Sequence, residues 1–175
     1  MNRREDLLDA ALEAFIERGY EGTSVADLAQ VTDLSKAAFV YHFASKEELL
    51  FELSGPLLDA LDGVVEDHGG DGGADAVRAL LESYMEALWR HRDVAAWMDG
   101  DKSILNHGDL GARLEANNRR MHRLLVGARP SKVDRAKASA ILGMLWRPVR
   151  NGNLGTSSRT RTAIVDLASN AAASL

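Results

Sequence analysis

The sequence predicts an all-α protein in which a small N-terminal head precedes a larger helical body. Three observations carry this prediction. Apolar residues recur at intervals of three and four along most of the chain, which is the period of an amphipathic helix. From residue 74 onward, the sequence never alternates cleanly between apolar and polar residues as a half-buried strand does. Serines that can cap a helix precede several of the apolar stripes.

Length and composition exclude several classes of protein. The chain has 175 residues, of which 46% are hydrophobic and 27% charged, as is typical of a globular protein. The absence of cysteine excludes disulfides, thiolate metal sites and a cysteine nucleophile. The longest uncharged apolar run, residues 138–146, is about half as long as a membrane span. We therefore expect a cytoplasmic protein that does not interact with a membrane.

The head begins with a helix predicted from about Arg3 to Arg18, and three further helix starts follow it. Either Thr23 or Ser24 can cap the second helix. A turn is predicted at residues 32–33, where Asp33 can adopt the left-handed backbone that such a turn often needs. Caps at Ser35 and Ser45 then open the third and fourth helices. Two short helices joined by a tight turn form a helix-turn-helix. The inward stripe of the first helix consists of Leu8, Ala11, Leu12, Phe15 and Ile16.

The outward side of the third helix indicates a nucleic-acid contact. Residues 34–46 contain two lysines, one histidine and one tyrosine but no acid. Small residues at the front of a helix allow its backbone to enter a DNA major groove, and neighbouring Lys, Tyr and His side chains can bind phosphates. The pattern alone leaves a second interpretation open, that of an ordinary helical corner with solvated polar residues.

Residues 22–50, with the helix before them, resemble the N-terminal domain of the tetracycline-repressor (TetR) family of transcriptional regulators. The resemblance rests on Phe15, Arg18-Gly19-Tyr20, the run from Gly22 to Ala29, Ser35-Lys36, Phe39, Tyr41-His42-Phe43 and the run from Ser45 to Leu49. It implies that residues 1–46 form a helix-turn-helix DNA-binding domain and that residues 47–175 form a helical domain for ligand binding and dimerisation. The DNA-binding residues that we assign are Thr23, Ser24, Ser35, Lys36, Ala37, Val40, Tyr41, His42 and Lys46. Within this set, the resemblance implies phosphate contacts for His42 and Lys46.

The sequence departs from the family pattern at several positions, and its charge is unusual for a DNA-binding head. Val40 stands where an aromatic residue is common, and Asp33 where a glycine is common. Val40 can contact a thymine methyl group but cannot donate to a phosphate. Residues 1–50 carry five basic side chains against ten acidic ones. We expect Arg3 and Arg4 to form a small basic arm that reaches a flanking phosphate.

The body is predicted to contain one long helix and five shorter ones. The long helix starts at about Lys46 and is interrupted at Gly55-Pro56, which predicts either a bent helix or a joint between head and body. A glycine-rich loop, residues 68–73, follows. The remaining helices are predicted over residues 74–92, 94–99, 110–126, 131–148 and 159–173.

Two further sites are predicted in the body. Small residues on the last two helices, by resemblance to the family's dimer contact, predict a homodimer interface, although burial within one chain fits the same period. This interface set consists of Ala136, Ala140, Gly143, Ile164, Ala168 and Ala171. Large adaptable side chains suggest a pocket for a small-molecule effector, with dense core packing as the alternative. The pocket set consists of Met85, Trp89, Trp97, Met98, Met121, Met144 and Trp146.

We expect no enzymatic activity, no cofactor and no metal, because neither the histidines nor the acids show the spacing of a catalytic or metal site. The sequence therefore predicts a sequence-specific regulator that binds a near-palindromic operator in double-stranded DNA as a homodimer. A repressor that a small-molecule effector releases from the operator is the form that the resemblance favours. The alternative is a helical small-molecule binding or scaffold protein whose head has little affinity for DNA.

Overall fold

The computed structural model describes residues 3–69, 73–152 and 157–173. These residues form α-helices joined by short connections, and one short 3-10 helix, Lys102–Asn106, follows the sixth α-helix. The α-helices are α1 (Arg3–Arg18), α2 (Val25–Val31), α3 (Lys36–His42), α4 (Lys46–Asp67), α5 (Ala74–Arg90), α6 (Arg92–Gly100), α7 (Leu110–Val126), α8 (Lys132–Arg150) and α9 (Ser158–Ala172). No strand occurs in the described ranges. The prediction of an all-α protein is thus confirmed.

The head is a bundle in which α2 packs against α1 and α3, and α1 packs against α4. Phe15, Phe39 and Phe43 are almost fully buried there, together with Leu28. The predicted stripe of α1 was wrong at one edge, because Ile16 keeps 54% of its surface exposed. The reason is that the core lies toward Leu7, Ala11 and Ala14, so that Ile16 falls outside the buried face.

Helix α4 runs without a break through Pro56 and therefore belongs to both the head and the body. Leu49, Leu50 and Leu53 are buried in the head, whereas Leu57 and Leu61 are buried further along the same helix. The predicted interruption at Gly55-Pro56 is therefore wrong, because α4 is continuous there. The alternatives of a bend or of a joint between head and body at this position stay predictions. The division at residues 46 and 47 falls at the first turn of α4 and stays a prediction.

The body surrounds the second half of α4 with α5 to α9. Helix α5 packs against α4 and α9, and α8 packs against α6, α7 and α9. Ser131 caps α8 with a capping box to Asp134, as the sequence predicts for this helix start. None of the described helices is both long and apolar enough to cross a membrane. Parts of the predicted loops, residues 70–72 and 153–156, lie outside the described residues.

Candidate DNA-recognition surface and body cavity

The turn between α2 and α3 holds the two helices at a fixed angle. Ser24 caps α2, and the carboxylate of Asp27 accepts hydrogen bonds from the Ser24 hydroxyl and backbone amide, which lower the pKa of Asp27. Asp33 has a φ of 53°, which is the left-handed conformation expected at this position. The amide of Leu34 donates to the carbonyl of Ala29 over 2.9 Å, and this bond closes the turn.

Helix α3 has one buried face and one open face. Phe39 is fully buried against the head, and the Ser35 hydroxyl accepts a hydrogen bond from the amide of Ala38. On the open face, Tyr41 is 88% exposed and Val40 is 44% exposed. Ser35, Lys36 and Ala37 are exposed beside them, so this surface is free to meet a partner.

The other four residues assigned to DNA contact have different environments. Ser24 is exposed and His42 is half-buried beside Tyr41, with ring centroids 5.6 Å apart. The assignment of Thr23 requires a correction, because only 1% of its surface is exposed and its hydroxyl donates to the carbonyl of Gly19 over 2.8 Å. This side chain closes the connection between α1 and α2 and does not reach the surface.

Lys46 makes contacts inside the head that the sequence did not predict. Its ammonium group donates to the carbonyl oxygens of Tyr20 at 2.9 Å and Thr23 at 3.1 Å. It also lies 4.1 Å from the centroid of the Tyr20 ring, a cation–π distance. In this conformation the charge serves the connection before α2, and a phosphate contact by Lys46 stays a prediction.

The prediction of a basic arm requires a correction at Arg4, because the side chain of Arg4 is held within the head. The guanidinium group donates to both carboxylate oxygens of Glu52 and to the carbonyl of His42, and it lies 4.4 Å from the centroid of the Phe43 ring. Arg4 thus joins α1, the end of α3 and α4. The side chain of Arg3 lies outside the described residues.

The seven residues of the predicted effector pocket do not come together around one space. Met98 and Trp146 line a cavity of about 250 Å³ between α6, α7 and α8. Met85 and Met121 are buried in the core, and Met144 is half-buried against it. Trp97 is buried and lines a separate groove with Phe15. The ring centroid of Trp89 lies 4.5 Å from the guanidinium carbon of Arg161. The remaining residues that line the cavity are Asp99, Lys102, Leu114, Asn118, His122, Ser139, Leu142 and Gly143.

The predicted dimer interface is exposed on α8 but not on α9. Ala136, Ala140 and Gly143 are exposed, and Val133 extends their stripe with 63% of its surface exposed. On α9 the prediction requires a correction, since Ala168 is fully buried and Ile164 and Ala171 are half-buried. The stripe chosen on α9 faces the protomer's own core. The outward face of this helix carries Ala163, Leu167 and Asn170, with Leu167 60% exposed.

The head and the body are joined by a polar contact that the sequence did not predict. The amide of Tyr20 donates to Asp101, which follows α6, over 2.6 Å. Nearby, a ring nitrogen of His107 lies 2.7 Å from a carboxylate oxygen of Glu21. Partial burial opposes ionisation of Asp101, but hydrogen bonds from Ser103 and Tyr20 outweigh it and lower the pKa of this carboxyl. No sequence signal marks this contact, because its partners are 81 residues apart.

Comparison with known proteins agrees with this geometry. A family model described as bacterial regulatory proteins, tetR family, matches residues 7–53. The HTH-type transcriptional repressor KstR2 of Rhodococcus jostii (strain RHA1) is 32% identical over 106 residues, which are 59% of this chain and 52% of that protein. The chain spans about half of the length of the curated relatives that it matches.

Two solved structures share the fold over nearly the whole chain. The ketosteroid transcriptional regulator KstR2 of Mycobacterium tuberculosis has a TM-score of 0.77 and 21% identity, and the alignment covers 99% of this chain and 94% of that chain. AibR in complex with isovaleryl coenzyme A and operator DNA has a TM-score of 0.69 and 20% identity, with 97% of both chains covered. At this level of identity the likeness concerns the fold.

Proposed function

Because the chain belongs to the TetR family of bacterial regulatory proteins, we propose that it is a cytoplasmic transcriptional regulator that binds operator DNA as a homodimer. In this proposal the protein represses transcription, and a small-molecule effector releases it from the DNA. Its relative KstR2 is described as a repressor, and the AibR structure contains both operator DNA and isovaleryl coenzyme A. These descriptions support the proposal for this chain.

The open face of α3 is the observation that carries the proposal. Lys36, Ala37, Val40 and Tyr41 are exposed there, whereas Phe39 anchors the helix in the head. Ala37 allows the backbone to come close to base edges, and Val40 offers an apolar contact for a thymine methyl group. Lys36 and Tyr41 supply donors for phosphates or bases. Tyr41 keeps 88% of its surface exposed on this face.

A dimer supplies the second half of the DNA contact. The exposed faces of α8 and α9, with Val133, Ala140 and Leu167, would be covered by a second protomer. Two heads related by a twofold axis would read half-sites about 34 Å apart in a near-palindromic operator. The free energies with which the two heads bind DNA then add. Their sum offsets the unfavourable effect of the excess of acidic residues in each head.

An effector that releases the DNA must bind the DNA-free conformation more tightly than the DNA-bound one. The cavity between α6, α7 and α8 is our candidate for its site, and α4 offers a mechanical path because the same helix is buried in both head and body. A ligand that displaces the body end of α4 would change the angle between the two heads. The operator contact would then be lost without any change in α3 itself.

A mobility-shift titration tests this proposal. The probe is the DNA upstream of the protein's own gene, and the competitor is a duplex of shuffled sequence at several salt concentrations. We expect a specific complex whose affinity falls steeply as salt increases, because phosphate contacts release counterions. The absence of a specific complex at low salt, with selected genomic fragments as well, would instead favour a helical binding or scaffold protein.

A further inference from the structure

The cavity between α6, α7 and α8 combines an apolar wall with charged residues at one end. Met98, Leu114, Leu142 and Trp146 form the wall. Asp99 lies in the last turn of α6 and Lys102 at the start of the 3-10 helix, and His122 lies two turns beyond Leu114 on α7. At about 250 Å³, the cavity is smaller than the roughly 300–1,000 Å³ typical of sites for drug-sized ligands. A ligand that fills it therefore combines a short apolar part with a polar or charged group.

Three cations surround the carboxylate at the charged end. Oδ1 of Asp99 accepts a 3.0 Å hydrogen bond from Lys102, whose ammonium also donates to the carbonyl of Met98 over 3.3 Å. Oδ2 lies 3.8 Å from Nη1 of Arg147 and 3.7 Å from Nη1 of Arg150, at ion-pair distance. This oxygen is buried and accepts no hydrogen bond from the residues that the structure describes.

The charges at this end leave a positive surplus. Lys102 lines the cavity, whereas Arg147 and Arg150 are not among its lining residues and approach it through their ion pairs with Asp99. Around this carboxylate the three positive charges outnumber the two negative charges of Asp99 and Asp101. The carboxylate of Asp101 is turned away to the amide of Tyr20 and to Ser103. Burial lowers the pKa of His122, so this imidazole adds no charge at neutral pH. Lys102 and the two nearby arginines therefore favour an anionic ligand over a cationic one.

We propose that this cavity binds a small anionic amphiphile, a carboxylate with a short unbranched apolar chain. The chain would lie against Met98, Leu142 and Trp146, and the carboxylate would accept a hydrogen bond from Lys102, which lines the cavity. Charge-assisted hydrogen bonds of this type are among the stronger ones in proteins. The burial of the apolar chain supplies the remaining affinity.

Arg129, Lys132 and Arg135 lie near the corner between α7 and α8. These basic residues fit an anionic ligand better than a second DNA contact. Helix α8 has 19 residues and is therefore about 27 Å long. Its last residue, Arg150, lines a groove with Phe15 and Gly19 of the head. Arg135 consequently lies far from α3, at the opposite end of the body. Positive charge at that end raises the local concentration of small anions near the cavity.

Binding at this site would act on the contact between head and body, a step that rests on the proposed function. A ligand carboxylate that draws Lys102 away from Asp99 would shift the segment that includes Asp101. The hydrogen bond from Tyr20 to Asp101 would then weaken, and the head would lose one of its contacts with the body. Lys102 would thus transmit the regulatory signal when it exchanges Asp99 for the ligand carboxylate as its partner.

Calorimetric titration with three probes of equal chain length tests the charge assignment on the unmodified protein. The probes are hexanoate, hexan-1-ol and hexylammonium at pH 7 and low salt. We expect saturable binding of hexanoate that is at least about tenfold tighter than that of the other two, or about 1.4 kcal/mol. Equal or tighter binding of hexylammonium or hexan-1-ol, or no binding of hexanoate, overturns the proposal.

Two variants and one DNA measurement complete the test. Lys102→Gln should weaken hexanoate binding about tenfold, whereas the matched control Lys137→Gln, an exposed lysine of α8, should leave it unchanged. If both variants bind hexanoate as tightly as the unmodified protein does, the role of Lys102 is overturned. If the protein binds operator DNA but no hexanoate, this inference fails and the proposed function stands. If hexanoate binds and no DNA is bound, the proposed function fails and the cavity assignment stands.

Discussion

The backbone amide of Tyr20 donates a hydrogen bond of 2.6 Å to the carboxylate of Asp101. This bond joins the connection between α1 and α2 to the residue that follows α6. The ring of Tyr20 also lies 4.1 Å from the ammonium of Lys46, which starts α4. Tyr20 therefore contacts both the body and α4, the helix that runs through head and body. We expect substitutions of its contact partners, Asp101 and Lys46, to change the stability of the protein.

Asp101→Asn should destabilise the protein by about 1–2 kcal/mol, because a hydrogen bond to a charged acceptor becomes one to a neutral amide. Since the pKa of Asp101 is lowered, its contribution is present above the ordinary value of about 3.9 and is lost as the pH falls through the lowered value. Urea unfolding at pH 7 and in acid measures this difference. The exposed Asp9→Asn is the control, and equal midpoints for the two variants at pH 7 would contradict the expectation.

Lys36→Ala should weaken binding to operator DNA while it leaves stability unchanged, since the side chain is exposed on α3. A contact to a base would cost about 1–3 kcal/mol and relax the sequence preference at one position. A contact to a phosphate would reduce the salt slope by about one unit and affect all sequences equally. Salt-dependent mobility shifts with single-base variants of the operator separate these outcomes. Lys137→Ala, on the body, serves as the control, and unchanged DNA affinity for Lys36→Ala would refute the assignment of α3.

Lys46→Met should destabilise the head by about 1–3 kcal/mol, because two carbonyl oxygens lose a charged donor. The loss of the cation–π contact with Tyr20 adds to this effect. Thermal unfolding measures the change, and the exposed Lys36→Met is the matched control. If the Lys46→Met protein is as stable as the unmodified protein but binds DNA more weakly, the result would instead support the phosphate contact that the sequence resemblance implies for Lys46.

Ala140→Arg should convert the proposed dimer into monomers, since a long charged side chain would enter the centre of the proposed interface on α8. The control is Ala79→Arg, the same substitution at an exposed position of α5. Sedimentation velocity gives the oligomeric state of both variants. A dimer of unchanged affinity in Ala140→Arg would place the interface elsewhere, and a monomer in the unmodified protein would rule out a homodimer.

Alkaline pH should destabilise the protein through its buried tyrosines. Burial raises the pKa of Tyr84 to about 12, and burial likewise raises the pKa of Tyr20 to about 12. Their contribution is fully present below the unfolded value of about 10 and is lost as the pH rises through the folded value. Urea unfolding at pH 8 and pH 11 should show this loss, and Tyr84→Phe should show a smaller one. An equal loss in Tyr84→Phe would assign the alkaline effect to other groups.

Local signals in the sequence predicted the helices well. Ser24, Ser35, Ser45 and Ser131 each accept a hydrogen bond from an amide in the first turn of the helix that they precede. These bonds join residues three positions apart, so the information lies within a few residues of sequence. The left-handed conformation of Asp33 is local in the same sense, because it depends on one residue and its turn.

The choice of exposed face was less predictable where two faces of a helix are similar. On α9, alanines occur on both sides, and the predicted stripe with Ala168 is the buried one. The period alone cannot distinguish burial within a protomer from burial between protomers. The large apolar residues of the predicted pocket do not lie around one space, for a related reason. Met85 and Met121 fill the core as readily as they would line a cavity.

The sequence by itself determined the helices, their caps, the turn at Asp33 and the open face of α3, because each depends on contacts between near neighbours in the chain. The tertiary structure decided which basic side chains remain available for a partner. Arg4 and Lys46 read as free charges in the sequence, yet Arg4 is bound to Glu52 and Lys46 to the carbonyls of Tyr20 and Thr23. It also decided that Asp101 meets Tyr20. Such contacts arise only when the packing of helices brings distant residues within hydrogen-bond distance.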